Sequence, residues 1–288
     1  MFSDDPNLII FLVSLFFVGL WGIISGLKNY LFVTKIKNTA VSNVASAAIG
    51  LVELAGRASA DAPEPGPVSG IPCVYWKVTG EYYYSSGKSG HWDKFYDVTS
   101  TKRFYIKDDT GRMRIDPEGG KTNIVSERYQ GHIAVYGLLS KEPADMDEKV
   151  INYIRSLDRE KTAEFMQHEK NLIRVTEYRI ADNDPLYVMG SVEPLRDTSG
   201  AGPDETLEIR KGDTDKTLYI STASERQVID KFSSWMHVKI FGGLALCTAV
   251  LFGALNLNEP EVQDWGFLII ILFFAGVMVF SLYKASVR

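Results

Sequence analysis

The sequence predicts an α+β protein: a mainly β cytoplasmic domain with an amphipathic helical insertion, plus three transmembrane α-helices. Long uncharged apolar runs stand toward both ends of the 288-residue chain. Between them, stretches rich in β-branched and aromatic residues alternate in polarity, as half-buried strands do, and Glu142 to Lys170 switches to helical spacing.

The first run, Leu8 to Leu27, has 20 residues and no charge, about 30 Å of helix, which matches the hydrocarbon core of a bilayer. Ile240 to Leu257 and Trp265 to Tyr283 are two further spans, joined by the acidic link NEPEVQD into a helical hairpin. A signal peptide places basic residues before its apolar core, whereas this chain begins MFSDDPN and its lysines Lys28, Lys35 and Lys37 follow the run. Three spans put the middle segment and the carboxyl terminus on one side, with Lys28, Lys35, Lys37, Lys231, Lys239, Lys284 and Arg288; the other side has Asp4, Asp5, Glu259, Glu261 and Asp264. The positive-inside rule then sets the amino terminus outside and residues 39–237 in the cytoplasm.

Within that domain SAAIGLVELAGRASA reads as a strand whose glycines admit a close neighbour. The loop DAPEPGPVSG, with three prolines and two glycines in ten residues, is turn-forming. IPCVYWKVTGEYYYS and HWDKFYDVTSTKRFYI pair across a glycine-serine tip, and FYIKDDTGRMRID forms a hairpin that turns at Asp109 to Gly111. Glu142 to Lys170 supplies the amphipathic helix or helices, through Val150, Ile151, Ile154 and Leu157 and then Phe165 and Met166. Strands return in LIRVTEYRI, LYVMGSVEPL, TLEIRKG and KTLYISTA, and SERQVIDKFSSWMHVK runs as a helix into the second span. LVELAGRA and PLYVMGSV are similar in pattern, each with a glycine where a sheet bends.

Chemistry is sparse. Cys73, in alternation with Ile71 and Tyr75, reads as a small buried residue; the rival is a nucleophile activated by His91, which the sequence does not place beside it. Glu164 and His168 share a helix face, but a second such pair is missing, so no metal is expected. No phosphate loop or nucleophile elbow occurs, and no cofactor is expected. A net charge of −5 without a basic block argues against nucleic acid, which is not an expected partner. Trp76, Tyr82, Tyr83, Tyr84, Trp92, Phe95 and Tyr96 crowd one hairpin, and Tyr82, Tyr84, Trp92 and Tyr96 are the candidate contact surface. Gly22 and Gly26, four apart in the first span, permit close helix contact, with the terminal hairpin or with a second copy.

SAAIGLVELAGRA, PVSGIPCVYWKV, FYIKDDTGRMRIDPEG and DPLYVMGSV occur in an order that resembles the GIDE domain, also called the BAM or "beside a membrane" domain, over roughly residues 39–195. The resemblance implies the motif positions Gly50, Glu53, Gly56, Pro72, Cys73, Asp108, Gly111 and Gly190, all in structural roles. Mitochondrial members of that family are ubiquitin ligases that carry a RING domain after the last span; this sequence ends at KASVR. It therefore resembles the prokaryotic, RING-lacking type in a cell membrane. The expectation is a non-catalytic adaptor or scaffold whose partners are the lipid bilayer and a membrane or cytoplasmic protein. The alternative is a ubiquitin-ligase-like enzyme or enzyme subunit, or a Cys73-dependent enzyme.

Overall fold

The computed structural model describes residues 6–86, 89–125, 127–134, 147–168, 172–196 and 206–255. In chain order the elements are helix α1 (Pro6–Asn38), strand β1 (Val41–Ser42), a 3₁₀ turn (Val44–Ser46), β2 (Gly50–Ser59), β3 (Glu64–Pro65), β4 (Pro72–Cys73), β5 (Tyr75–Ser86), β6 (Ser89–Thr99), β7 (Phe104–Asp108), β8 (Gly111–Ile115), β9 (Lys121–Asn123), β10 (Glu127–Ala134), helices α2 (Glu148–Ser156) and α3 (Arg159–Gln167), β11 (Leu172–Ile180), β12 (Pro185–Pro194), β13 (Leu207–Arg210), β14 (Tyr219–Ser221), α4 (Glu225–Ser233) and α5 (Met236–Leu255). They divide into two units, one comprising Met1–Asn38 with Arg226–Arg288 and the other Thr39–Glu225.

The second unit is built on a closed barrel. Strands run in the order β2-β7-β8-β13-β12 and return to β2, with β8 and β13 parallel and the other four pairings antiparallel. Numbered by their order in the chain, the five strands circle as 1-2-3-5-4, the order of a five-stranded Greek-key barrel of the OB type. Leu54, Ile106, Ile115, Val188 and Ile209 fill the interior and have no exposed surface. At Gly56 the backbone of β7 comes so close that an added Cβ would lie 2.4 Å from the Lys107 carbonyl oxygen. The two similar sequences, LVELAGRA and PLYVMGSV, are direct neighbours: β2 and β12 pair from Gly50 opposite Val192 to Arg57 opposite Pro185.

Two insertions make a second layer. β5 and β6 leave between the first two barrel strands, β10, α2, α3 and β11 between the third and fourth, and together they form the antiparallel sheet β10-β11-β5-β6. Val78, Ile173 and Val175 pack beneath Val150, Tyr153, Ile154 and Phe165 of the two helices. The expected helical insertion is thus two short helices, the first capped by Asp147, whose carboxylate accepts the Lys149 amide at 3.0 Å. The β7–β8 turn is shorter than expected: Asp108 pairs with Gly111, leaving Asp109 and Thr110 as the loop. Gly111 starts the strand, and the Asp108 carboxylate closes the loop by accepting from the Thr110 amide, the Thr110 hydroxyl and the Gly111 amide.

In the other unit α1 packs on α5 through the expected glycines. A Cβ on Gly22 would meet the Lys239 carbonyl oxygen at 3.3 Å and one on Gly26 the Ile240 side chain at 2.5 Å; Gly19 faces Gly243 and Cys247 in the same seam. Among the described residues two helices are long and apolar enough to cross a membrane, over Ile10–Asn38 and Glu225–Gly253. Phe11, Phe17, Trp21 and Leu31 are exposed along α1. The third expected span, Trp265 to Tyr283, lies outside the described residues. So does the start of the expected helical insertion, Glu142 to Met146.

Candidate functional site

Alternation puts Val78, Gly80, Tyr82 and Tyr84 of β5 on the face that the helices cover, and Glu81 and Tyr83 on the other. The helices do not reach the end of the hairpin. Tyr82 is stacked at 4.1 Å on His168, which follows α3, whereas Tyr84 is half-exposed beside His91. On the opposite face Tyr83 leans on Trp92, and the Arg174 guanidinium lies 4.2 Å over the Trp92 ring while bonding Glu81 at 2.6 and 2.7 Å. Sequence reasoning put Tyr82, Tyr84, Trp92 and Tyr96 together as a contact surface, and this needs correction. A bulge at Phe95 shifts the register between Gly80 and Glu81, so Tyr96 turns beneath the helices and shares a hydrogen bond with Tyr153 at 2.8 Å. Tyr82 is partly covered, by His168 and Phe95. The residues that form the outer end of the hairpin are Tyr83, Tyr84, His91 and Trp92.

The structure does not bring Cys73 and His91 together. His91 lies opposite Tyr84, nine residues along β5 from Tyr75, which at about 3.3 Å per residue is some 30 Å away. Its imidazole contacts Asp93 at 3.1 Å in solvent. Cys73 is buried, but the alternation expected around it fails: the chain bends at Val74, whose amide bonds the Ile180 carbonyl, so that Cys73, Val74 and Tyr75 are buried in succession while Ile71 is exposed. Among the described residues no group of three or more His, Cys, Asp or Glu side chains gathers as a metal site.

The other motif positions have physical roles. Gly50 has φ +121°, a conformation that suits glycine. Gly190 leaves room for Leu218 and Ile209, which an added Cβ would meet at 2.9 and 3.0 Å. Pro72 pairs with Pro65 in the two-stranded ribbon that holds the proline-rich loop.

Among the described residues three glutamates have no exposed surface; Glu177 and Glu208 went unseen in the sequence, and Glu53 entered only as a motif position. Glu177 accepts from the amides of Val68 and Ser69 at 2.6 and 3.1 Å, from the Ser69 hydroxyl at 2.5 Å and from Arg179 at 3.2 Å, which fixes the proline-rich loop. Glu208 sits within 3.7–3.8 Å of Arg103, Arg114 and Arg210 and accepts the Arg196 amide at 3.2 Å. Glu53 is the exception. Burial and, after it, the Glu225 carboxylate push its pKa up to about 7, against the lowering effect of the Tyr187 hydroxyl. Neither of its oxygens meets a donor in hydrogen-bonding geometry.

The family model described as "GIDE: E3 Ubiquitin ligase" matches residues 78–253, more than half of the chain. The chain belongs to the GIDE family. The GIDE match begins at Val78, so SAAIGLVELAGRA and all but the last residue of PVSGIPCVYWKV lie ahead of it, and it continues through the other four barrel strands and most of α5. No curated protein and no solved structure matches this GIDE protein.

Proposed function

We propose that this GIDE protein is a membrane-anchored, non-catalytic adaptor whose barrel-bearing unit faces the cytoplasm and offers the outer end of the β5–β6 hairpin to a partner protein. The observation that carries this reading is the half-exposed aromatic end itself. Tyr83, Tyr84 and Trp92 extend beyond the helices, and the Arg174–Glu81 pair supports Trp92 from behind. Rigid aromatic side chains of this kind supply contact area at low entropic cost. Two apolar helices, with Lys35 and Lys37 in the last turn of α1, support the anchor and its orientation.

A photoactivatable residue in place of Tyr84, in intact membranes, is expected to give a discrete protein adduct that Trp92→Ala abolishes. An adduct pattern unchanged by Trp92→Ala rules out the hairpin as the contact. The family description supports a second reading, a role in ubiquitin transfer. Incubation with ubiquitin, ATP, activating enzyme and conjugating enzyme decides between them: accelerated discharge of the conjugating enzyme overturns the adaptor reading.

A further inference from the structure

Glu53 stands in a cross-strand row. It lies opposite Met189 of β12, which lies opposite Tyr219 of β14; in the next row Ala55, Tyr187 and Ser221 follow. Since Val52 and Leu54 point into the barrel, Glu53 points to its outer side, as do Tyr187 and Tyr219, whose flanking residues Leu186, Val188, Leu218 and Ile220 are core. Yet Glu53 has no exposed surface, and Tyr187 and Tyr219 are 3% and 4% exposed. The groups that face the carboxyl are the Tyr187 hydroxyl from β12 and, from the first residue of α4, the Glu225 carboxylate; Tyr219 of β14 adjoins Tyr187. On the other edge β1 contributes Val41, which has nothing to titrate. Among the described residues no ammonium or guanidinium pairs with Glu53.

In such a place the carboxylate has no counter-ion among the described residues, and the Tyr187 hydroxyl that faces it stands outside hydrogen-bonding geometry; burying the neutral acid costs far less than burying the charge. We propose that Glu53 is a proton-operated latch on the outer wall of the barrel: as the neutral acid it seals the β2–β12–β14 wall, and loss of its proton to solvent is coupled to opening of that wall. Linkage gives the sign. In the open state the carboxyl returns to its ordinary range near 4.5, below its value of about 7 in the closed wall. The closed state therefore holds the extra proton, and opening becomes easier as pH rises between these values, then levels off above about 7.

The test is hydrogen–deuterium exchange on the full chain in detergent micelles, corrected for the intrinsic pH dependence of exchange. Between about pH 5 and about pH 7 the amides of residues 52–54, 187–190 and 219–221 are expected to lose protection by about tenfold or more, and Glu53→Gln to abolish this loss. Protection that does not change with pH in the wild type, or a loss that persists in Glu53→Gln, overturns the latch. A second variant removes dependence on Glu53→Gln folding well. Glu225→Gln takes away the neighbouring charge and is expected to move the upper levelling point to lower pH; an unmoved levelling point also overturns the proposal.

Discussion

Glu177, Glu208 and Glu53 are equally inaccessible to water, and their surroundings answer that isolation differently. Glu177 is saturated with donors, and Gly66 is needed beside it, because an added Cβ there would lie 2.6 Å from its Oε1. Removing the carboxylate takes the ion-pair partner from Arg179, which keeps its bond to the Ser69 hydroxyl, and the acceptor from the Val68 and Ser69 amides. Glu177→Ala is expected to cost about 3–5 kcal/mol, read from chemical unfolding. At Asp108 burial raises the pKa, but hydrogen bonds from Thr110, Gly111 and the Val44 amide outweigh it and hold the carboxyl below its ordinary range. Its contribution is therefore present above the unfolded carboxylate range, near pH 4, and lost as pH falls through the lower folded value. Asp108→Asn is expected to shrink the acid-induced drop in melting temperature; an unchanged acid limb counts against this assignment.

At the scale of elements, glycines set the approach distances. Gly56→Ala forces a methyl against the fixed backbone of β7, and a cost of about 1–3 kcal/mol is expected in the unfolding midpoint. In the α1–α5 seam Gly26→Leu collides with Ile240, and the variant is expected to melt earlier in detergent, whereas Gly253→Leu, where among the described residues nothing lies within 4 Å of an added Cβ, is expected to leave melting unchanged. Most strands and both insertion helices were legible in the sequence because alternation, turn residues and 3.6-residue spacing are local signals. Tyr96 and Cys73 were misplaced in detail for a shared reason: a bulge at Phe95 and a bend at Val74 each break alternation, and no residue at either point announces it. The buried carboxylates were invisible because their partners lie far away in sequence, Ser69 being 108 residues from Glu177.

For the molecule as a whole, topology was the least legible property. Nothing local states that β2 pairs with β12, or that β8 runs parallel to β13. The orientation proposed above is a property at the same scale and rests on few charges. On that proposal an accessibility label on the barrel-bearing unit is expected to react from one side only in the wild type and from both sides once Lys28, Lys35 and Lys37 are replaced with glutamine; labelling that stays one-sided in the variant discounts those lysines.

Closure of the barrel also has a consequence in time. Arg57 must wait for Pro185, 128 residues later, before their pairing can form. At the pace of a ribosome this is a delay of roughly ten seconds, during which α1 has already emerged and β2 has an open edge. Until β12 is made, the nascent chain thus carries one unfilled edge of an apolar strand close in sequence to the apolar helix α1, and early chaperone engagement is the expected consequence.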